Sequence, residues 1–243
     1  MKRIFNTISQ KWPEYLLEIL VITIGILGAF ALNSWNEVRK DNQQEHRYLV
    51  RLLEDINKDL SEFEEALNAS EQRMKRALFL MEAASDSSLI TKDPTYFVTS
   101  IEQAGYTKDP VLSDHTFEEI KSSGRLSIIT NEDIRTSLAI YYDAVSSSEQ
   151  YDFIRQSNQL TYMDKKFGIL NASQQMAAGD YFISTQFTKE EGHEVFKRMI
   201  SRPEFIEWLP TAIQSKKMTI RHLIKFKNQA TGLKEMIQKE LTK

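Results

Sequence analysis

Residues 19–32 read ILVITIGILGAFAL, fourteen positions with nothing more polar than Thr23. Extended to Tyr15 and Trp35, the stretch is twenty-one residues long, close to the roughly 20 that an α-helix needs to cross the hydrocarbon of a bilayer. Glu18 and Asn33 then fall at its two edges, where polar side chains reach headgroups or water. Trp12 and Tyr15 on one side and Trp35 on the other sit where an interfacial aromatic belt belongs. Apolar on all sides, the segment has no amphipathic face with which to cover a soluble core.

Working outward toward the N-terminus, KRIFNTISQKW at residues 2–12 spaces Ile4, Phe5, Ile8 and Trp12 helically among Lys2, Arg3 and Lys11. Such a stretch lies in the membrane surface and feeds the span. A cleaved signal sequence shares the basic start, and Ala29-Phe30-Ala31 fits its cleavage pattern. Against it stand Glu14, Glu18, the long entry segment and the helical pattern that continues past the span. The expected organisation is an interfacial entry helix over 1–14, a transmembrane helix over 15–36 and a helical soluble domain over 37–243.

Lys2, Arg3 and Lys11 precede the span, and Arg39, Lys40, Arg47 and Arg51 follow it, so basic residues alone do not set the orientation. The entry segment has no acidic residue before Glu14, which favours a cytoplasmic N-terminus and an extracytoplasmic domain. Within the span Gly25, Gly28 and Ala29 form a small-residue face that a second helix can approach closely.

From Trp35 to about Ala84 there is no Pro or Gly, and apolar residues recur every seven. Leu49, Ile56 and Phe63 mark one seam position and continue through the smaller Ser70 and Ala77. Leu53, Leu60, Leu67, Met74 and Met81 mark the other. This spacing predicts a helix laid against one or two others, and a bundle within the chain and a dimeric coiled coil use the same seam. A partner helix is predicted over Thr211 to Leu241, where Ile220, Leu223, Phe226, Ala230, Leu233, Ile237 and Leu241 recur at three and four. Folding it back antiparallel buries both stripes.

Between these helices the chain is broken by turns. Asp93 and Pro94 open a short helix, and Ser113 or Asp114 opens another that Gly124 closes. Thr130 and Asn131 start a longer one through Ile134, Leu138, Tyr141, Tyr142 and Val145, heading toward Phe167. Thr188 with Glu191 and Ser201 with Glu204 fit the capping box, and Pro203 suits a first helical position. Arg125–Thr130 and Tyr181–Phe187 alternate like strands but read as loop. The fold class is all-α.

Two runs of residues are more specific than these patterns. Glu18-Ile19-Leu20-Val21, Gly25-Ile26-Leu27 and Asn33-Ser34-Trp35-Asn36-Glu37 form the first. The second is Phe117-Glu118-Glu119-Ile120-Lys121-Ser122-Ser123-Gly124-Arg125-Leu126, followed by Asn131-Glu132-Asp133-Ile134-Arg135 and Tyr141-Tyr142. Together, over about a third of the chain, they resemble an uncharacterised family of bacterial single-span membrane proteins with a helical domain. Gly28 departs from that pattern, where a bulkier aliphatic is expected. The resemblance implies an anchored helical architecture and carries no activity with it.

Composition narrows the function. With 31 Lys and Arg against 34 Asp and Glu, interspersed along the chain, there is no basic stripe to displace counterions from nucleic acid. The chain has no Cys, which excludes disulfides, thiolate ligands and cysteine nucleophiles. Phosphate loops and nucleophile elbows are missing as motifs. His46, His193 and His222 lack metal-ligand spacing.

Asp114 and His115 lie one helical turn from Glu118 and Glu119 and are the best candidate for proton or metal chemistry. Acidic residues are also what any helix start prefers, and the solvated-helix-start reading is the plainer. Lys216, Lys217, Arg221, His222, Lys225 and Lys227 make the last helix basic, and they are expected to face Glu62, Glu64 and Glu65. Phe117, Tyr141, Tyr142, Phe153 and Phe167 read as core. The expectation is therefore a non-enzymatic, cofactor-free interaction or scaffold protein of the bacterial inner membrane, in contact with lipid and with a protein partner or a second copy. An extracytoplasmic ligand-sensing bundle that signals through a separate partner is the alternative.

Overall fold

An uninterrupted helix, α1 (Lys2–Ser85), is the spine of the protein. The computed structural model describes residues 2–147, 149–180 and 185–243, and the side chains of residues 2–11, 13–15, 149 and 150 lie outside that description. The expectations for Tyr15, for the Ile4–Phe5–Ile8 face and for Tyr181–Ser184 fall there.

From Leu16 to Gln43 every side chain of α1 is exposed. Among the described residues α1 is the one helix long and apolar enough to cross a membrane. Its most apolar stretch, near the N-terminus, has a mean hydropathy of 2.2 and none of it is buried.

Burial begins at Tyr48 and then follows the helical repeat through Leu49, Leu52, Ile56, Phe63, Ala66, Ala77, Leu80 and Ala83. The partner is α9 (Pro203–Leu241), which runs antiparallel to α1. Its early residues Phe205, Leu209 and Ile213 pack with Leu80, and its late residues Leu223, Leu233 and Ile237 pack with Leu49–Phe63. The seven intervening helices are α2 (Ser88–Lys92), α3 (Pro94–Gln103), α4 (His115–Ser122), α5 (Glu132–Ser146), α6 (Glu149–Lys166), α7 (Ala172–Gly179) and α8 (Lys189–Ile200). Every regular element among the described residues is helical.

These helices make two apolar cores along one spine. The core nearer the N-terminal apolar stretch of α1 joins Leu52, Ile56 and Phe63 of α1 to α4, α5 and the end of α9. The farther core joins Leu80 to α2, α3, α7, α8, the start of α9, and Tyr162 of α6. Each fully buried large apolar side chain contributes about 1.5–3 kcal/mol.

Local sequence accounts for several helix ends. Asp93 accepts from the Tyr96 amide at 2.8 Å, with Pro94 as the first helical residue of α3. Thr188 and Glu191 form the expected reciprocal cap. Gly124 has φ +69°, and the amides of Gly124 and Arg125 donate to Lys121 O and Ile120 O, both at 3.1 Å, closing α4 with a left-handed glycine turn.

Several expectations need correction. Ser201 does not cap α9: Arg202 stands at the N-cap without a side-chain bond, Ser201 Oγ turns back to Arg198 O, and Glu204 approaches Arg202 at 3.7 Å. The last helix starts at Pro203 rather than near Thr211 and carries Pro210 inside it. Arg125–Thr130 contains a 3-10 turn, Leu126–Ile128. Asn171 and Gln174 form a capping box that the sequence reading missed. Phe153 and Phe167 are not core; they are 72% and 76% exposed.

Candidate functional site

The second seam position of α1 lies one residue before the one the heptad count picks out. Leu53, Leu60 and Leu67 are half-buried and flank the core, while Leu52, Asp59 and Ala66 are fully buried with Leu49, Ile56 and Phe63. Asp55 is buried as well. Two carboxylates four residues apart therefore point into the domain, and a buried carboxylate needs partners.

Those partners come from α4 and α5. Asp55 Oδ2 accepts from Thr116 Oγ1 at 2.5 Å and from the Thr116 amide at 3.4 Å. Asp59 Oδ1 accepts from the Ser113 amide at 2.7 Å, and Asp59 Oδ2 from the Tyr141 hydroxyl at 2.7 Å. The N-cap of α4, Asp114, makes no side-chain cap of its own. The Thr116 amide in the first turn and the Ser113 amide ahead of it are served instead by α1, some sixty residues earlier in the chain.

Burial raises the Asp59 carboxyl to about 6; the bonds from Ser113 and Tyr141 oppose the rise, and the nearby Asp55 and Asp114 carboxylates add to it. Burial, with the Asp59 charge beside it, also pushes the Tyr141 and Tyr142 hydroxyls well above the usual phenol range. Both stay protonated and act as donors, Tyr142 to Ser113 O at 3.1 Å. The Tyr142 ring stacks on Phe117, centroids 4.5 Å apart.

The other residues of the Phe117–Leu126 and Asn131–Arg135 runs complete the same attachment. Glu119 Oε2 pairs with Arg51 at 2.7 Å, and its Oε1 accepts from Tyr48 at 3.3 Å. Glu45 Oε1 accepts from the Thr130 amide and hydroxyl at 2.7 and 2.8 Å. Asn131 caps α5 through the Asp133 and Ile134 amides, and its Nδ2 donates to Glu240 of α9 at 2.6 Å. These runs fasten α4 and α5 to the part of α1 that follows its exposed apolar stretch.

The Asp114–His115–Glu118–Glu119 cluster does not converge. His115 is 91% exposed and reaches only Asp114, at 3.7 Å; Glu118 pairs with Lys121 and Glu119 with Arg51. Among the described residues no group of three His, Asp or Glu is placed to hold a metal ion.

A second polar assembly lies between the two cores. Lys216 is buried, and its Nζ donates to Tyr106 O at 2.5 Å and Gly105 O at 3.5 Å. Burial and the neighbouring Arg73 and Arg155 charges lower it to about 7, against a raising contribution from Asp109. Arg155 bridges Asp109 at 2.7 Å and Asp152. Of the acidic partners expected for the basic face of α9, Glu64 does meet Lys227, at 2.9 Å. Glu65 is taken by Lys108, and Glu62 accepts from the Val111 amide.

Two open grooves flank the exposed Ile140 of α5. One, of about 550 Å³, lies against Phe117, Lys121 and Tyr142; the other, of about 370 Å³, lies against Asn228, Gly232 and Met236. Trp12 and Trp35 are exposed, as are Gly25, Gly28 and Ala29, and nothing stands within 4 Å of a Cβ placed on either glycine.

A family model described as a family of unknown function, DUF6090, matches residues 18–195. No curated protein and no solved structure matches the chain.

Proposed function

Because the chain belongs to DUF6090, a family of unknown function, we propose its role from its own architecture: a membrane-anchored, non-catalytic helical module that holds a protein partner or a second copy. The observation that carries this reading is the continuity of α1. The exposed apolar helix of Leu16–Trp35 passes without a break into the helix on which α4, α5 and α9 are fastened, so the domain stands at a set distance from the bilayer.

In this reading residues 15–36 cross the bacterial inner membrane, with Trp12, Tyr15 and Trp35 at its faces, and residues 37–243 form an extracytoplasmic helical bundle. The basic entry segment, with no acidic residue before Glu14, supports that orientation. Titratable groups in the interior are engaged in tying helices together, which supports a module without catalysis.

Fractionation and gentle solubilisation test it. The full chain is expected to resist alkaline extraction from membranes and to bring down a stoichiometric partner or copy, while a span-deleted control loses both. Recovery of the full chain alone, as a monomer, overturns the scaffold role. The grooves beside Ile140 favour a second reading, a ligand-sensing bundle, and saturable binding of a small molecule that Ile140→Asp abolishes is what it requires.

A further inference from the structure

Helix α6 turns part of its charge inward and part of its apolar surface outward. Its inward face carries Arg155, Tyr162 and Lys166: Tyr162 donates to Ile101 O at 3.0 Å, Lys166 pairs with Glu102 at 2.6 Å, and both side chains are buried. Its outward face carries Phe153 and Leu160, with Phe167 following the last helical residue; these are 72%, 67% and 76% exposed. Phe153 and Tyr162 are nine residues apart, two and a half turns at 3.6 residues per turn, which sets them on opposite sides. A helix that turns Arg155 and Lys166 inward while it exposes Phe153 and Leu160 departs from an ordinary surface helix.

Phe153, Leu160 and Phe167 recur every seven residues, each roughly 20° from the last around the helix, the spacing of a coiled-coil seam. Between them, at three and four residues from each, lie Gln156, Ser157, Met163 and Asp164, a single charge in four. Interface cores are depleted of charge in this way.

We propose that this stripe is where two copies of the chain meet, α6 against α6 in parallel. The inference rests on the membrane-anchored reading above. Two copies anchored by the same span stand upright at the same height, so each stripe meets its own twin residue for residue without a search for register. The three side chains offer roughly 400 Å² per copy, about half the roughly 800 Å² per partner of a stable soluble complex. That deficit fits a copy held in the same membrane plane, where confinement supplies the effective concentration, and not a partner arriving from solution.

The absence of cysteine makes the test clean. Phe153→Cys, Leu160→Cys and Phe167→Cys are introduced singly into the full-length protein and oxidised in intact membranes, with Lys217→Cys on the exposed side of α9 as control. All replaced side chains are exposed, and circular dichroism checks that the helix content is unchanged. Disulfide-linked dimer is expected at all three stripe positions, at least tenfold above the control, and Leu160→Glu is expected to abolish the Phe153→Cys dimer. Dimer at control level, or adducts to a different protein, overturns the pairing. Alkaline extraction of the same membranes separates the two ideas: a chain that stays in the membrane without cross-linking refutes the pairing alone, whereas one that washes out refutes the anchor as well.

Discussion

The hydroxyl of Tyr141 donates to Asp59 Oδ2 at 2.7 Å, joining α5 to α1 across 82 residues of chain. The other oxygen of the same carboxylate takes the Ser113 amide ahead of α4. One buried acid on the spine therefore sets two helices at once, and the domain's polar interior is organised around where that acid sits.

Asp59 makes the fold pH-dependent in a definite direction. Its folded pKa, about 6, lies above the ordinary 3.8, so protonation favours the folded state. That advantage is complete below about pH 4 and is lost as the pH rises through 6. Asp59→Asn keeps an acceptor for Ser113 and a partner for Tyr141 but carries no charge. Its stability relative to the parent is expected to be about 2 kcal/mol better at pH 7.5 than at pH 4. Denaturant unfolding of the detergent-solubilised protein at both pH values measures this; a difference that does not change with pH, or grows on acidification, refutes it.

Asp55 acts as the cap that α4 lacks. Asp55→Ala leaves the Thr116 hydroxyl and amide without their acceptor in a buried place, at a cost of about 2 kcal/mol. The loss is local to the start of the helix, so hydrogen exchange is expected to accelerate over 113–122 while α8 and the start of α9 are unaffected. Uniform acceleration across the domain, or none, contradicts the assignment.

Why the carboxylates were not legible in the sequence is a matter of phase. A heptad count follows the largest apolar side chains, and Leu53, Leu60 and Leu67 are larger than the Asp59 and Ala66 that are buried in their place. A buried Asp looks like a solvated one until its partners are known, and Ser113, Thr116 and Tyr141 are far away in the chain. The long helices were legible from their sustained apolar repeat, and the glycine stop at Gly124 and the caps at Asp93, Asn131 and Thr188 because each is decided by residues within one turn. Phe153 and Phe167 misled for the opposite reason: aromatic residues are ordinarily core, and nothing local announces that Arg155 and Lys166 face inward instead.

Gly105 is required by contact rather than by backbone freedom. A Cβ there would overlap the ring of the fully buried Tyr162, whose hydroxyl is held by Ile101 O. Gly105→Ala must displace that ring from the farther core and is expected to destabilise the protein by about 3 kcal/mol. Enlarging the space with Tyr162→Leu in the same chain should lessen the effect of Gly105→Ala. Equal effects in both backgrounds, read by thermal unfolding, would falsify the steric account.

Lys216 supplies the complementary pH test at the alkaline end. Its folded pKa of about 7 lies below the ordinary 10.5, so the neutral amine suits the buried site and the cation does not. The stability this contributes is present above about pH 10.5 and is lost as the pH falls toward 7. Lys216→Met removes the titration while leaving the Tyr106 and Gly105 carbonyls without their donor. The parent's stability relative to this variant is therefore expected to rise by about 2–3 kcal/mol between pH 7 and pH 9.5. If the gap stays constant over that range, Lys216 is not desolvated as its position between the two cores requires, and the polar belt there is open to water.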